Sequence, residues 1–171
     1  MWSSEIYSYL TAIGNSYNVN PFSTKIFSDV ISILRATLYS ITDKKIFNTS
    51  PSNEKEVHER IEAVLKCVFP DLKHMPTITK PIKNFIPDTG LPSVRTLIEY
   101  KFVESTEDAK IISDQVLTDT RGYFSRDWET FIYVIYETSR IKQELEWEYM
   151  LRECGVPENT KIIVLSGEPA E

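Results

Sequence analysis

The chain has little cysteine and little histidine, and each scarcity excludes a class of site. Its 171 residues include two cysteines and two histidines. Neither Cys67 nor Cys154 has a second cysteine or a histidine at zinc-ligand spacing, so we expect both to be reduced, structural thiols. His58 and His74 are too few for a multi-histidine metal centre. Any metal is therefore expected to be held by oxygen.

Long apolar runs and an excess of positive charge are also missing. No stretch approaches the length of a membrane span, and residues 1–16 lack the basic start and apolar run of a signal peptide, so we expect a soluble cytoplasmic protein without membrane contact. A net charge of −6 argues against a protein that coats nucleic acid. Residues 72–98 nevertheless carry Lys73, Lys80, Lys83 and Arg95 against a single acid, Asp88. They form either a local basic rim or ordinary solvated surface.

The apolar residues that are present suffice for one core. At 42% hydrophobic, the chain predicts one α/β domain and is too short for two independent domains. Apolar periodicity predicts helices at 26–41, 54–69, 105–122 and 144–153, and strands within 77–103, at 131–136 and at 161–165. A polar break at 48–53 separates an N-terminal helical extension, 1–52, from a second part, 53–171. This order predicts a mixed β-sheet flanked by helices.

One predicted strand ends in a carboxylate and a lysine that share a face. Side chains alternate along a strand, so Glu99 and Lys101 point the same way, whereas Tyr100 points to the other face. Asp88 follows Pro87 a short loop upstream, and a hairpin between the two segments would add a second carboxylate. Two oxygen ligands beside one lysine suit a hard divalent cation such as Mg²⁺.

An acid followed two residues later by lysine is a weak pattern, and context has to select among its copies. The chain has three more, which begin at Asp43, Asp71 and Asp108. Asp43 follows a helix into a polar loop, Asp71 lies just past a helix end, and Asp108 opens a helix. Only Glu99-Tyr100-Lys101 has an apolar strand before it and a Pro-Asp pair at hairpin distance, which favours it as the site.

Glu54 is a further candidate, in the first turn of the helix predicted at 54–69. It lies three residues before Val57 and seven before Ile61, on the side of the helix that carries the apolar stripe. Its carboxylate either faces the site or complements the helix dipole, and the sequence leaves both open.

These residues together resemble the PD-(D/E)xK nuclease superfamily, with Pro87-Asp88 and Glu99-Tyr100-Lys101 in its motif. The runs at 53–57, 69–71, 83–88 and 98–103 are similar to the DpnII/MboI-type endonuclease domain, over about residues 53–165. The resemblance implies a restriction-endonuclease-like three-layer α/β fold. It also implies Mg²⁺- or Mn²⁺-dependent hydrolysis of phosphodiester bonds in nucleic acid, DNA rather than RNA.

The resemblance also implies residue roles. Asp88, Glu99 and the backbone carbonyl of Tyr100 would bind metal, and Lys101 would orient or help deprotonate a water molecule. Glu54 would complete or orient the metal shell. Gln115, Asp119 and Tyr123 are four residues apart and share one helix face, and Gln115 is the residue chosen from it. Candidate nucleic-acid contacts are Gln115, Lys83 and Lys110, each with ordinary solvated surface as its alternative.

Other interpretations stay open. A catalytically silent nuclease-fold module that binds nucleic acid or a protein is favoured by the acidic charge, and a plain α/β domain would use the same acids and lysine as a surface salt bridge. A homodimer would suit cleavage of two strands. Any dimer or partner contact is expected at the N-terminal helices, within residues 1–48.

Overall fold

The structure is a computed structural model that describes residues 21–123 and 125–167. The chain divides into two compact units, residues 1–33 and 34–171, and the sheet lies in the second. Much of the predicted dimer or partner contact falls on residues 1–20, outside the described residues. No helix in the described ranges is long and apolar enough to cross a membrane.

The described helices and strands follow the predicted order. Helices α1 to α5 span Pro21–Ile41, Lys44–Phe47, Glu54–Val68, Thr106–Tyr123 and Glu144–Glu153. Strands β1 to β7 span Lys73–His74, Ile78–Thr79, Asn84–Phe85, Thr89–Leu91, Thr96–Val103, Thr130–Glu137 and Thr160–Ser166, with a 3-10 turn at Pro92–Val94. Two short elements were not predicted from the sequence: the four-residue helix α2 and the two-residue strand β1. The polar loop predicted after Asp43 is wrong, because the Asp43 side chain accepts a hydrogen bond from Lys45 N–H and caps α2.

Capping contacts of Ser52, Asn53 and Glu56 fix the start of helix α3. The Asn53 side chain accepts a hydrogen bond from the Glu56 N–H at 2.9 Å, and the Glu56 carboxylate accepts one from the Ser52 N–H at 3.0 Å. The first contact satisfies a donor that the first turn of a helix leaves unpaired, and the second ties the chain before the helix to that turn. Glu54 is consequently the first residue of α3, as predicted.

The main sheet has five strands in the order β1-β4-β5-β6-β7. Strand β5 pairs antiparallel with β4 and parallel with β6, and β6 pairs parallel with β7. A separate two-stranded hairpin joins β2 and β3. The predicted mixed sheet and the hairpins within 77–103 are confirmed.

Helices cover both faces of the sheet. Odd-numbered residues of β5 and β6, such as Leu97 and Tyr133, share a buried cluster with Ile112 of α4 and Trp147 of α5. On the opposite face, the ring of Tyr100 stacks on His58 of α3 at a centroid distance of 4.9 Å. Glu99 and Lys101 therefore lie on the face covered by α4, and Tyr100 on the face covered by α3, as strand alternation predicts.

The cysteines differ in one respect from the expectation. Cys67 and Cys154 are free thiols, but both are exposed. They are therefore not structural thiols of the core, because Cys67 on α3 and Cys154, which directly follows α5, both face solvent.

Candidate active site

The hairpin of β4 and β5 brings the predicted carboxylates to one place. Thr89 pairs with Ile98, so continuing the antiparallel register by one residue sets Asp88 opposite Glu99. The Asp88 carboxylate accepts a hydrogen bond from the Tyr100 N–H at 2.9 Å. Asp88 also acts electrostatically on Glu99. The chain thus doubles back as the sequence predicted.

Glu99 and Lys101 lie side by side under α4, and both are nearly buried. Their side chains are 7% and 8% exposed, and Lys101 Nζ lies 3.3 Å from Glu99 Oε2. Helix α4 contributes two more groups: the Tyr123 hydroxyl donates a hydrogen bond to Glu99, and Asp119 Oδ2 lies 3.7 Å from Lys101 Nζ. One ammonium therefore faces two carboxylates, with a phenol donor beside them.

Negative charge is in excess at this cluster. Burial, followed by the charge of Asp88, raises the pKa of Glu99 to about 8, against the lowering effect of Lys101 and Tyr123. Burial also raises the pKa of Asp119. Although burial lowers the pKa of Lys101, the surrounding carboxylates, Glu99 first, raise it above its ordinary value. The cluster holds more acid than its single lysine neutralises.

Glu54 belongs to the same electrostatic group although its side chain is solvent-exposed. Surrounding protein raises the pKa of Glu54, Lys101 lowers it, and Asp88 and Asp119 raise it further. The start of α3 therefore faces Asp88 and Lys101, so both sequence interpretations hold in part: the acid lies at a helix N-terminus and beside the site.

The Tyr100 backbone is placed to add an oxygen on the Asp88 side. Its N–H donates to Asp88 and not to β6, and in an extended strand the N–H and C=O of one residue point to the same side. The β4 ladder ends at the pair Thr89 and Ile98. The Tyr100 carbonyl thus points to the Asp88 side, beyond the end of that ladder.

The predicted nucleic-acid contacts are placed unevenly. Lys83 is exposed on the β2–β3 hairpin, with its ammonium 4.4 Å from the Phe85 ring centre, and its charge reaches Asp119. Gln115 and Lys110 are both exposed on α4. The side chains of α4 that contact the cluster are Asp119 and Tyr123, on the helix face from which the sequence analysis chose Gln115. The guanidinium of Arg95 binds Glu129 and backbone carbonyls, so its charge is already partly neutralised and contributes less to the predicted basic rim.

The β2–β3 hairpin packs against α4 beside Tyr123. Phe85 makes an edge-to-face contact with Tyr123 at 6.2 Å. Gly122 permits this approach, since an added Cβ there would lie 2.0 Å from the Phe85 ring. The hairpin that carries Lys83 is thus held next to the phenol that contacts Glu99.

A second polar cluster lies on the α3 side of the sheet. His58, Glu62 and His74 bring one ligand atom each to within 4.8 Å of one another, and no other such group of three forms within the described residues. Although burial raises the pKa of Glu62, hydrogen bonds from Lys66, Thr89 and His74 lower it below its ordinary value. The expectation that any metal is held by oxygen stays a prediction. The fold nevertheless brings both histidines to one carboxylate, an arrangement that the count of two histidines did not suggest.

The acids around Lys101 do not bring three donor atoms as close to one another as His58, Glu62 and His74 do. Within the described part of the chain, Glu54, Asp88, Glu99 and Asp119 contribute no group of three ligand atoms within 4.8 Å. Their arrangement offers the pair Asp88 and Glu99, with the other acids further out. Two carboxylates nonetheless match Mg²⁺, which is often bound through one or two carboxylates and keeps several water molecules.

The five-stranded mixed sheet with helices on both faces is that of a restriction-endonuclease-like fold, the fold of PD-(D/E)xK-type nucleases. The chain belongs to the DpnII-MboI restriction endonuclease family, whose model matches residues 38–168. This is a family of DNA-cleaving nucleases. No curated protein matches the chain.

The match begins at Leu38, within the segment predicted to be an extension. The domain boundary proposed between residues 52 and 53 stays a prediction.

Several side chains near the site escaped the sequence analysis. Asp119 and Tyr123 lie four residues apart on α4 and were recognised as one face, but the residue chosen from it was Gln115. His58 and Glu62 are also four apart, on α3, and this spacing was a usable signal. His74 had none, because a two-residue strand has no periodicity.

The raised pKa of Glu99 predicts how stability depends on pH without metal. The unfolded chain loses the Glu99 proton near the ordinary pKa of 4.5, whereas the folded state keeps it up to a pKa of about 8. The free energy of unfolding should therefore fall as pH rises from 5 to 8, on the order of 1–3 kcal/mol for this group. Glu99→Gln should flatten the dependence, measured by chemical denaturation in chelator.

The matched control is Glu59→Gln on α3, because the Glu59 side chain is 61% exposed and forms a surface ion pair with Lys55, away from the cluster. It should keep the wild-type pH dependence. An unchanged pH dependence in Glu99→Gln would contradict the assignment.

Proposed function

We propose that the protein is a divalent-metal-dependent endonuclease that hydrolyses phosphodiester bonds in DNA at the cluster of Asp88, Glu99 and Lys101. The observation that carries this proposal is the excess of carboxyl groups around one buried lysine, at the end of the β4–β5 hairpin, with Glu99 itself buried. A metal-binding role accounts for such an excess, because a cation would neutralise the acids that raise one another's pKa. Family membership supports DNA as the substrate.

The residues fit Mg²⁺, or Mn²⁺ in its place. Asp88 and Glu99 would hold the ion, with the Tyr100 carbonyl as a further oxygen and with Glu54 approaching from the start of α3. Carboxylate and carbonyl oxygens are the donors that these hard cations prefer. When bound, the ion would lower the pKa of a water molecule and neutralise charge on the phosphate.

Lys101 would carry positive charge to the phosphate. Its raised pKa keeps the ammonium protonated at neutral pH. Glu99 and Asp119 hold it from two sides, so its Nζ is positioned before substrate arrives. A fixed ammonium in a site shielded from water stabilises developing negative charge strongly. Tyr123 holds the Glu99 carboxylate in place from α4.

The β2–β3 hairpin is the proposed place of DNA contact. Lys83 is exposed there and lies close enough to Asp119 to act on it electrostatically. Lys110 and Gln115 stay candidate contacts on α4, and a homodimer or a partner at the N-terminal helices stays a prediction.

Substitution of the proposed site residues should remove cleavage. Asp88→Asn, Glu99→Gln and Lys101→Met should each lower the rate of DNA cleavage with Mg²⁺ by roughly 100-fold or more, because each removes a metal ligand or the fixed ammonium. Cleavage is measured on gels, with circular dichroism to confirm folding. The control is Lys45→Met, which alters another acid-x-Lys copy, exposed on α2, and should cleave normally.

Full activity in folded Asp88→Asn and Lys101→Met would refute the proposed site. Inactivity of the wild-type protein on DNA and RNA with Mg²⁺ and Mn²⁺, together with DNA binding in chelator, would instead favour the catalytically silent nuclease-fold module.

Lys83→Ala tests the hairpin contact separately from catalysis. Loss of one phosphate contact should weaken DNA binding and reduce the slope of log affinity against log salt by about 0.9. Binding is measured by fluorescence anisotropy in chelator, where no cleavage occurs. Lys45→Ala should leave affinity and slope unchanged, and an unchanged slope in Lys83→Ala would remove this contact from the proposal.

A further inference from the structure

The cluster on the α3 face has the donor spacing of a metal site. His58 Nε2 lies 3.5 Å from Glu62 Oε1, and His74 Nδ1 lies 3.1 Å from the same oxygen. Donor atoms on a tetrahedral zinc ion, at bonds of about 2.0–2.1 Å, lie about 3.3 Å apart. The two distances bracket that value, and all three donor atoms lie within 4.8 Å of one another, so small shifts would let them face one ion.

The surroundings of these donors orient them. His58 and Glu62 are 10% and 4% exposed, one helical turn apart on α3. The other ring nitrogen of His58, Nδ1, faces Asp88 Oδ1 at 3.9 Å. Thr89 donates a hydrogen bond to Glu62 Oε1 at 3.1 Å. Carboxylates behind histidine ligands and hydrogen bonds to ligating carboxylates are the usual supports of metal sites.

Lys66 does not block the cluster. Its Nζ lies 3.1 Å from Glu62 Oε2, which His74 Nδ1 also contacts at 2.9 Å, whereas Oε1 faces both histidines. The Lys66 side chain is 56% exposed. It can therefore stay on Oε2 or move into solvent while Oε1 binds an ion.

We propose that His58, Glu62 and His74 form a second metal site, for Zn²⁺ or a similar borderline transition-metal ion, separate from the Mg²⁺ site. Two imidazole nitrogens and one carboxylate suit Zn²⁺ and disfavour Mg²⁺, which prefers oxygen. Three protein donors leave a fourth position, and His74, 53% exposed, sets that side towards solvent. This site goes beyond the proposed nuclease function and does not require it.

A bound ion would stabilise the position of Asp88, which directly precedes β4. Its ligands come from α3 and from the short edge strand β1, and the residue after His74, Met75, donates its N–H to the Asp88 carbonyl at 2.8 Å. His58 faces the Asp88 side chain. A bound ion would therefore hold Asp88 from its backbone and its side chain, so it would support the nuclease site without taking part in the chemistry.

The site is tested by titrating Zn²⁺ and Co²⁺ into the full chain, without Mg²⁺. The exposed thiols of Cys67 and Cys154 are first replaced by serine in every sample, because free thiols bind these ions. Calorimetry should show one site per chain, and Zn²⁺ should raise the thermal midpoint. His74→Gln should weaken binding by at least about 10-fold and remove the thermal shift. His58→Asn should do the same.

The matched control is Lys73→Gln, which alters the neighbouring exposed residue of β1 and should bind Zn²⁺ normally. The chain has two histidines, so each ring gives its own nuclear magnetic resonance signal. Both rings should shift in one titration with Zn²⁺. Because His74 is half exposed, His74→Gln is expected to fold even where His58→Asn does not.

Glu99→Gln separates this proposal from the nuclease site. It should leave Zn²⁺ affinity unchanged, since Glu99 lies on the other face of the sheet. Equal Zn²⁺ affinity in wild type and His74→Gln would overturn the proposal, as would histidine rings that do not respond. Loss of Zn²⁺ binding in Glu99→Gln would assign the ion to the carboxylate cluster and would also overturn it.

Discussion

Repulsion among carboxylates around one ammonium is the constraint on which the site depends. Glu99 and Asp119 contact Lys101 directly, and Asp88 and Glu54 act on it from the hairpin and from α3. Such a group costs folding free energy, because buried carboxylates must stay protonated or repel one another. The protein tolerates this because β5, α4 and α3 are each fixed by the core. A cation that binds there would supply the positive charge that the cluster lacks, and binding would relieve the repulsion among the carboxylates.

The sheet separates two chemistries that share Asp88. On the α4 face, carboxylate oxygens surround Lys101 and form the proposed Mg²⁺ site. On the α3 face, His58 and His74 offer nitrogen beside the oxygen of Glu62. Asp88 lies at the strand edge between them: its carboxylate accepts from Tyr100 N–H and faces His58. Alternation along β5 produces this division, because Tyr100 stacks on His58 while Glu99 and Lys101 point to α4.

The strand and the hairpin could be predicted because their signals are local. Glu99 and Lys101 share a face through simple alternation, and Pro87-Asp88 stands at hairpin distance, so their approach followed from sequence. The correct helix face on α4 was also recognisable. The choice of Asp119 over Gln115 was not, because it depends on where the helix ends relative to the strand. The approach of His74 to α3 depends on a two-residue strand, too short to leave a pattern in the sequence.

Proton release on Mg²⁺ binding tests the central claim most directly. With the pKa of Glu99 raised to about 8, most molecules at pH 7 carry a proton there that a bound cation must displace. Calorimetry in buffers of different ionisation enthalpy should therefore show release of about one proton per Mg²⁺ at pH 7, and little release in Glu99→Gln. Mg²⁺ binding without proton release, or equal release in Glu99→Gln, would contradict the account.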